Sequence, residues 1–123
     1  MPRTRVVFYC EADGSAPVLE WLDELPRKAR RKCQVRIERL GELGHELRRP
    51  EADLLRDGIY ELRASFRRVH YRVLYFFHGT TAAVLAHGMV KEQRVSEAEI
   101  DRARERKEQF ESHPGQHTYK ESS

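Results

Sequence analysis

The sequence predicts an α+β fold: an N-terminal helix hairpin packed on a twisted antiparallel four-stranded sheet, followed by a C-terminal helix. Three observations lead there. Apolar residues recur at helical spacing from Val18 to Leu40, whereas 19 of the 32 residues from Ile59 to Val90 are apolar and alternate in period two over parts of that block. Beyond Val90 the chain turns polar, with six apolar residues in the final 33. A length of 123 residues holds one domain, and 28 Leu, Ile, Val and Phe residues exceed the fifth of the chain below which disorder is expected. The expected domain spans residues 1–111, with a polar tail at 112–123.

Each element has a local reason. Residues 5–10, Arg-Val-Val-Phe-Tyr-Cys, are β-branched and aromatic and stop at a turn-like Glu-Ala-Asp-Gly, which predicts a first strand. Ser15 is placed to cap a helix with Pro17 in its first turn, and Val18, Leu19, Trp21, Leu22 and Leu25 form its buried stripe. Pro26 interrupts. A second helix is predicted from Arg27 to Leu43, with Ala29, Cys33, Ile37 and Leu40 on one face and Gly44 as its stop. Two helices joined at a proline suggest an αα-hairpin.

Residues 45–58 read as a polar connector ending in Asp57-Gly58. Three strands follow at 59–66, 69–77 and 82–90, with turns at Arg67-Arg68 and His78-Gly79-Thr80-Thr81 short enough to force antiparallel pairing. Ser96 and Glu99 form a capping box that opens a helix to about Glu111. Its stripe of Ile100, Ala103 and Phe110 is thin, so the helix is expected to fray or to rest on something other than its own domain. The helix pair then backs one face of the sheet, and the other face is left to solvent or a ligand.

Composition narrows the function classes. The longest apolar runs are five residues, too short to span a membrane, and no apolar segment follows Met1-Pro2-Arg3. Cys10 and Cys33 lack disulfide-scaffold or metal-ligand spacing, which predicts reduced thiols in a cytoplasmic protein. There is no Gly-rich phosphate loop, nucleophile elbow, zinc spacing or acidic metal cluster, so no metal or cofactor is expected. A net charge of +3 permits an anionic partner.

Alternation sorts the strands and locates a basic face. Ile59, Glu61, Arg63 and Ser65 point one way; His70, Arg72, Leu74 and Phe76 share a side of the next strand; Leu85, His87, Met89 and Lys91 share a side of the last. One register gathers Arg63, His70, Arg72, His87 and Lys91 together. Placing them in the core instead would bury unpaired charges, at several kcal/mol each. From Leu62 to Lys91 there is no Asp or Glu. Such a face suits a polyanion backbone, although basic strand residues are also commonly just solvated. Tyr71, Tyr75 and Phe77 alternate as core residues do, the other reading being base stacking. The second helix carries Arg27, Lys28, Arg30, Arg31, Lys32, Arg36 and Arg39, either a wet amphipathic face or a nucleic-acid docking surface.

The ordered set Asp57-Gly58-Ile59-Tyr60-Glu61-Leu62-Arg63, Tyr71-Arg72-Val73-Leu74-Tyr75 and Leu85-Ala86-His87-Gly88-Met89-Val90-Lys91 resembles the RelE/HigB superfamily of toxins from type II toxin–antitoxin modules. The likeness is to its phage-derived host-killing branch. Pro17-Val18-Leu19-Glu20-Trp21-Leu22 with Leu25-Pro26 is similar to the start of the same family, so the likeness covers about residues 5–111. It implies a RelE/ParE-like fold and a ribosome-dependent mRNA endonuclease. A small helix-turn-helix antitoxin would neutralise it in a toxin–antitoxin hetero-oligomer, through the C-terminal helix, the basic second helix or both. Arg63, Arg72, His87 and Lys91 match the family motifs and take the catalytic roles, with Arg67, Arg68, His70 and Arg94 as RNA contacts. Met89 replaces the usual Phe, Glu92 stands where a second lysine is expected and Gln93 where Thr is common; Arg94 offers a substitute cation.

Metal-free RNA cleavage drives the 2′-OH at the adjacent phosphate. It needs a proton acceptor, a donor to the leaving 5′-oxygen, and cations for the charge building on phosphorus. Under this resemblance Arg63 and Arg72 grip phosphate oxygens, Lys91 is a second cation or proton carrier, and His87 is the acid or base. Two rival expectations remain. ParE-like members of the fold bind and inhibit DNA gyrase without cleavage, and an inactive binding module would tolerate Glu92.

Overall fold

A computed structural model describes residues 3–91 and 94–120; Glu92 and Gln93 lie outside the described residues. The elements are β1 (Arg5–Phe8), α1 (Pro17–Glu24), α2 (Arg27–Leu43), a 3-10 turn (Gly44–Glu46), β2 (Ala52–Arg56), β3 (Ile59–Phe66), β4 (Val69–His78), β5 (Ala82–Val90) and α3 (Glu97–Ser112). They form a five-stranded sheet in the order β1-β5-β4-β3-β2. The α+β class holds. The four-stranded, wholly antiparallel sheet does not: β1 runs parallel to β5, and residues 52–56, read as connector, form the edge strand β2. Asp57-Gly58, with φ of +54° and +76°, supplies the positive-φ pair of a type I′ turn that folds β2 back on β3.

The turn between β3 and β4 makes the same demand of less suitable residues. Arg67 and Arg68 have φ of +52° and +68°. The left-handed region costs a residue with a Cβ roughly 1–2 kcal/mol, a cost glycine escapes.

The first two helices do not pair as a hairpin. α1 packs chiefly on β5 and α2 chiefly on β3, so each buries its stripe on the sheet more than on the other. Ser15 does not cap α1, because its N–H and hydroxyl both bond to Asp13; Ala16 takes the N-cap position and its N–H donates to Glu20. The core on this side joins Val18, Leu22, Ala29, Cys33 and Leu40 to Leu62, Tyr71, Val73, Tyr75 and Leu85. Tyr71 and Tyr75 are therefore core residues.

The second sheet face is not left open along its length, and α3 does not lack a partner. Val95, Ile100, Ala103 and Phe110 bury themselves on Ile59, Leu74, Phe76, Val84, Ala86 and Met89. A thin stripe suffices because each fully buried Ile or Phe contributes about 1.5–3 kcal/mol and polar anchors fix the helix as well. Arg56 bonds Glu97 and Asp101 near its start, and Arg106 donates to the Ala86 carbonyl at 2.6 Å. Ser96 caps the helix as predicted, accepting from the Glu99 N–H. Residues beyond α3, read as a tail, return to β1: the Cys10 N–H donates to the His117 carbonyl, the Tyr119 N–H to that of Phe8, and the buried His117 ring stacks on Tyr9.

Candidate functional site

The register of the three central strands builds a grid on the α3 side of the sheet. Arg63 pairs directly with Arg72, and Arg72 with Met89; Ser65 pairs with His70; Leu74 pairs with His87. The Lys91 N–H donates to the His70 carbonyl, which extends the Ser65–His70 row. All five predicted face residues do share one side of the sheet.

They do so by a route the alternation misses. The β4–β5 register shifts after Leu74, so that Tyr75 pairs with Leu85 and Ala86 is the extra residue of a β-bulge. Leu85 therefore faces the helix pair while His87 faces α3, although period two puts them on one side. Gly88 turns toward the helix pair, where a Cβ would come within 2.4 Å of the Trp21 ring.

The face divides into an open part and a covered part. In the open part Arg63, Ser65, His70 and Arg72 line a groove of about 370 Å³ that also takes in Ala64, Pro50 and Arg36 of α2, the helix packed on the opposite face. Larger concavities of about 600 and 590 Å³ lie elsewhere and contain none of the predicted site residues. One buried acid, Glu61, holds Arg63 and Arg72 in place. Its Oε1 meets Arg63 at 2.6–2.7 Å and its Oε2 meets Arg72 Nε at 3.4 Å. Asp53 of β2 lies 3.5 Å from Arg63. A guanidinium carries five N–H donors, and these contacts do not exhaust them. Arg36 and Arg39 share Glu51.

In the covered part His87 has a side chain 17% exposed, with its Nε2 at 3.9 Å from Glu99 on α3. Burial, followed by the positive charge of Arg106, pulls its pKa down to about 4. It is thus neutral near pH 7 and a weak base. Lys91 Nζ sits 3.1 Å from the other Glu99 oxygen. The acid-free stretch from Leu62 to Lys91 is therefore supplied with carboxylates from just outside it: Glu61, Asp53 and Glu99.

Arg67 and Arg68 are exposed at the β3–β4 tip next to the groove, and Arg94 is exposed beyond β5. Sequence reasoning missed two contributors. Glu61 carried a signal, since it stands two residues before Arg63 on the same strand face; Arg36 did not stand out from the other basic residues of α2.

A family model for phage-derived Gp49-like proteins (DUF891) matches residues 20–108. The chain belongs to this Gp49-like family. The family is toxin-like and often found in toxin–antitoxin modules. The matched span runs from α1 through most of α3 and so takes in both the groove and its covered neighbour. No curated protein matches this Gp49-like chain. Among the described residues, no helix is long and apolar enough to cross a membrane.

Proposed function

We propose that this Gp49-like chain is the toxin of a type II toxin–antitoxin module, of the RelE/HigB type, and that it cleaves messenger RNA on the ribosome. What supports this most is the direct pairing of Arg63 with Arg72 in the lining of an open groove that also takes in Arg36 and His70. Three guanidiniums around one concavity suit a phosphodiester, whose non-bridging oxygens each accept two hydrogen bonds. In the reaction the 2′-oxygen bonds to phosphorus, its proton passes to a base, and the 5′-oxygen leaves and takes up a proton. The products are a 2′,3′-cyclic phosphate and a 5′-hydroxyl end. Arg63 and Arg72 stabilise the added charge on phosphorus.

The imidazole assigned to proton transfer is His70, which lines the groove, in place of His87, which α3 covers. The ribosome supplies alignment of the attacking oxygen, worth several kcal/mol of barrier. Lys91 and His87 lie outside the groove, against Glu99 of α3, and take no part in the chemistry. A small helix-turn-helix antitoxin is the proposed neutralising partner, and the cytoplasm the proposed compartment.

A second reading has its own support. Glu61 already neutralises part of the Arg63–Arg72 charge, and His87 is held neutral beneath α3, as a ParE-like gyrase inhibitor would tolerate. Adding the protein to a cell-free translation extract, with and without a chelator, and mapping 5′ ends on the message separates the two. New ends within translated codons support cleavage. Intact message together with blocked gyrase supercoiling supports the rival.

A further inference from the structure

A concavity of about 590 Å³ opens on the helix-pair side of the sheet, beside the edge strand β2. That volume lies in the range of small-molecule sites. Its lining is aromatic and basic. The His45 ring stacks on Phe77 with centroids 3.6 Å apart, and His45 is nonetheless exposed. Tyr60, half-buried, stacks on Tyr75 at 5.4 Å and meets Phe77 edge-on at 5.2 Å. Core neighbours thus fix both rings, so a flat ligand meeting them has little side-chain freedom to remove. Leu54, 54% exposed, adds an apolar rim, and Arg48 and Arg49 are exposed beside it. The concavity also adjoins the Arg63–Arg72 groove. Arg49 lines the one and its chain neighbour Pro50 the other, and Asp53, the one carboxylate among the described lining residues, is ion-paired with Arg49 at 2.8 Å and with Arg63 at 3.5 Å.

We propose that this concavity is a nucleobase subsite, which takes the base of a nucleotide flanking the one cut in the groove. A base has a flat face for an aromatic ring and carries a phosphate for a guanidinium, and this lining supplies both kinds of partner side by side. The inference rests on the RNA reading of the groove and adds a second, chemically different contact: the groove holds the backbone by charge, the concavity holds a base by stacking. The strand passes between them over the 49–53 segment, round the β2 edge of the sheet. Stacking is worth about 1–3 kcal/mol per base and tolerates any sequence, because every base has a π face. The subsite therefore strengthens and positions the strand without dictating which codon is cut.

The test is an abasic scan. A short, fluorescent, uncleavable 2′-O-methyl single-stranded RNA is compared with the same strand lacking one base at each position in turn. The proteins are the wild type, Arg72→Gln, and Leu54→Glu alone and combined with His45→Ala, each checked for folding by circular dichroism. Both substituted positions of the concavity are exposed, so the fold is expected to survive. The wild type should lose about ten- to hundredfold in affinity at one abasic position, the equivalent of one base stack. In the concavity variants the intact strand should bind about tenfold or more weakly and that abasic penalty should vanish. Arg72→Gln should bind more weakly with the penalty retained. A wild type indifferent to every abasic position, or a penalty that persists in the concavity variants, would overturn the subsite; loss of affinity in Arg72→Gln would then leave the groove reading standing. A penalty abolished by the concavity variants, with Arg72→Gln unchanged, would sustain the subsite and remove the groove. Free adenosine monophosphate bound by the wild type but not by the concavity variants, with no abasic penalty in the strand, would overturn the subsite in favour of a free-nucleotide site. A wild type that does not bind the RNA defeats both readings.

Discussion

The covered position of His87 makes a quantitative prediction. Its pKa is brought from 6.5 to about 4, first by burial and then by Arg106, with Arg102 and Lys91 acting the same way and Glu99 opposing them. At 1.36 kcal/mol per pH unit, the difference between folded and unfolded chain corresponds to about 3 kcal/mol. The unfolded chain takes up the proton near pH 6.5 and the folded chain only near pH 4. Between those values the unfolded state binds more protons, so stability falls as the pH falls. The contribution is full above the unfolded pKa and is lost by the time the pH passes below the folded one. Urea unfolding across this window, for the wild type and for His87→Gln, isolates the term, because the carboxylates of Asp53 and Asp101 titrate in both proteins. The wild-type curve should be steeper by about 3 kcal/mol in total, and NMR titration of the His87 ring should give a midpoint near 4. A midpoint at or above the ordinary histidine value would refute the packing of α3 over this residue.

Further outcomes follow from the same contacts. Gly88→Ala places a methyl group 2.4 Å from Trp21 Cε3 and should cost about 1–3 kcal/mol, seen as a lower urea midpoint at unchanged m-value. Arg106→Gln removes the donor to the Ala86 carbonyl and so leaves the bulge unpaired. It should destabilise by about 1–3 kcal/mol and raise the His87 midpoint, read by NMR. Phe110→Ala deletes a ring packed edge-on against Phe76 at 5.7 Å and should cost about 3–5 kcal/mol, together with faster amide exchange in α3; a negligible cost would mean that α3 rests elsewhere.

Where sequence and fold agree, the physics is local. α2 begins and ends where its stripe and Gly44 place it, and Ser96 caps α3 through its own side chain. Strands β3, β4 and β5 keep their predicted spans to within a residue, because aromatic and β-branched residues fill them. The misses are tertiary. β2 is short, carries Asp53 and Arg56, and leaves Leu54 54% exposed, so its strand character comes from pairing with β3 rather than from composition. The bulge at Ala86 reverses the facing of half of β5, and its carbonyl finds its donor in Arg106, twenty residues along the chain. α3 has a weak stripe but two of its carboxylates, Glu97 and Asp101, anchor on Arg56, which no periodicity reveals.

The candidate site shows the same division. Alternation placed Arg63, His70 and Arg72 on one face, and they meet there. It could not show that Glu61 would clamp both arginines, or that α3 would close over His87 and draw Lys91 onto Glu99. The basic face is consequently a groove beside a covered polar cluster, and the chemistry proposed for it moves from His87 to His70.

The central claim is that the paired arginines hold the phosphate at which messenger RNA is cut. The most direct measurement is a 5′-end map of a translated message exposed to the wild type, to Arg72→Gln and to His87→Gln, each confirmed folded by circular dichroism. The account predicts new 5′-hydroxyl ends with the wild type, their loss with Arg72→Gln, and their persistence with His87→Gln. Message left intact by the wild type, or cut as readily by Arg72→Gln, would contradict it.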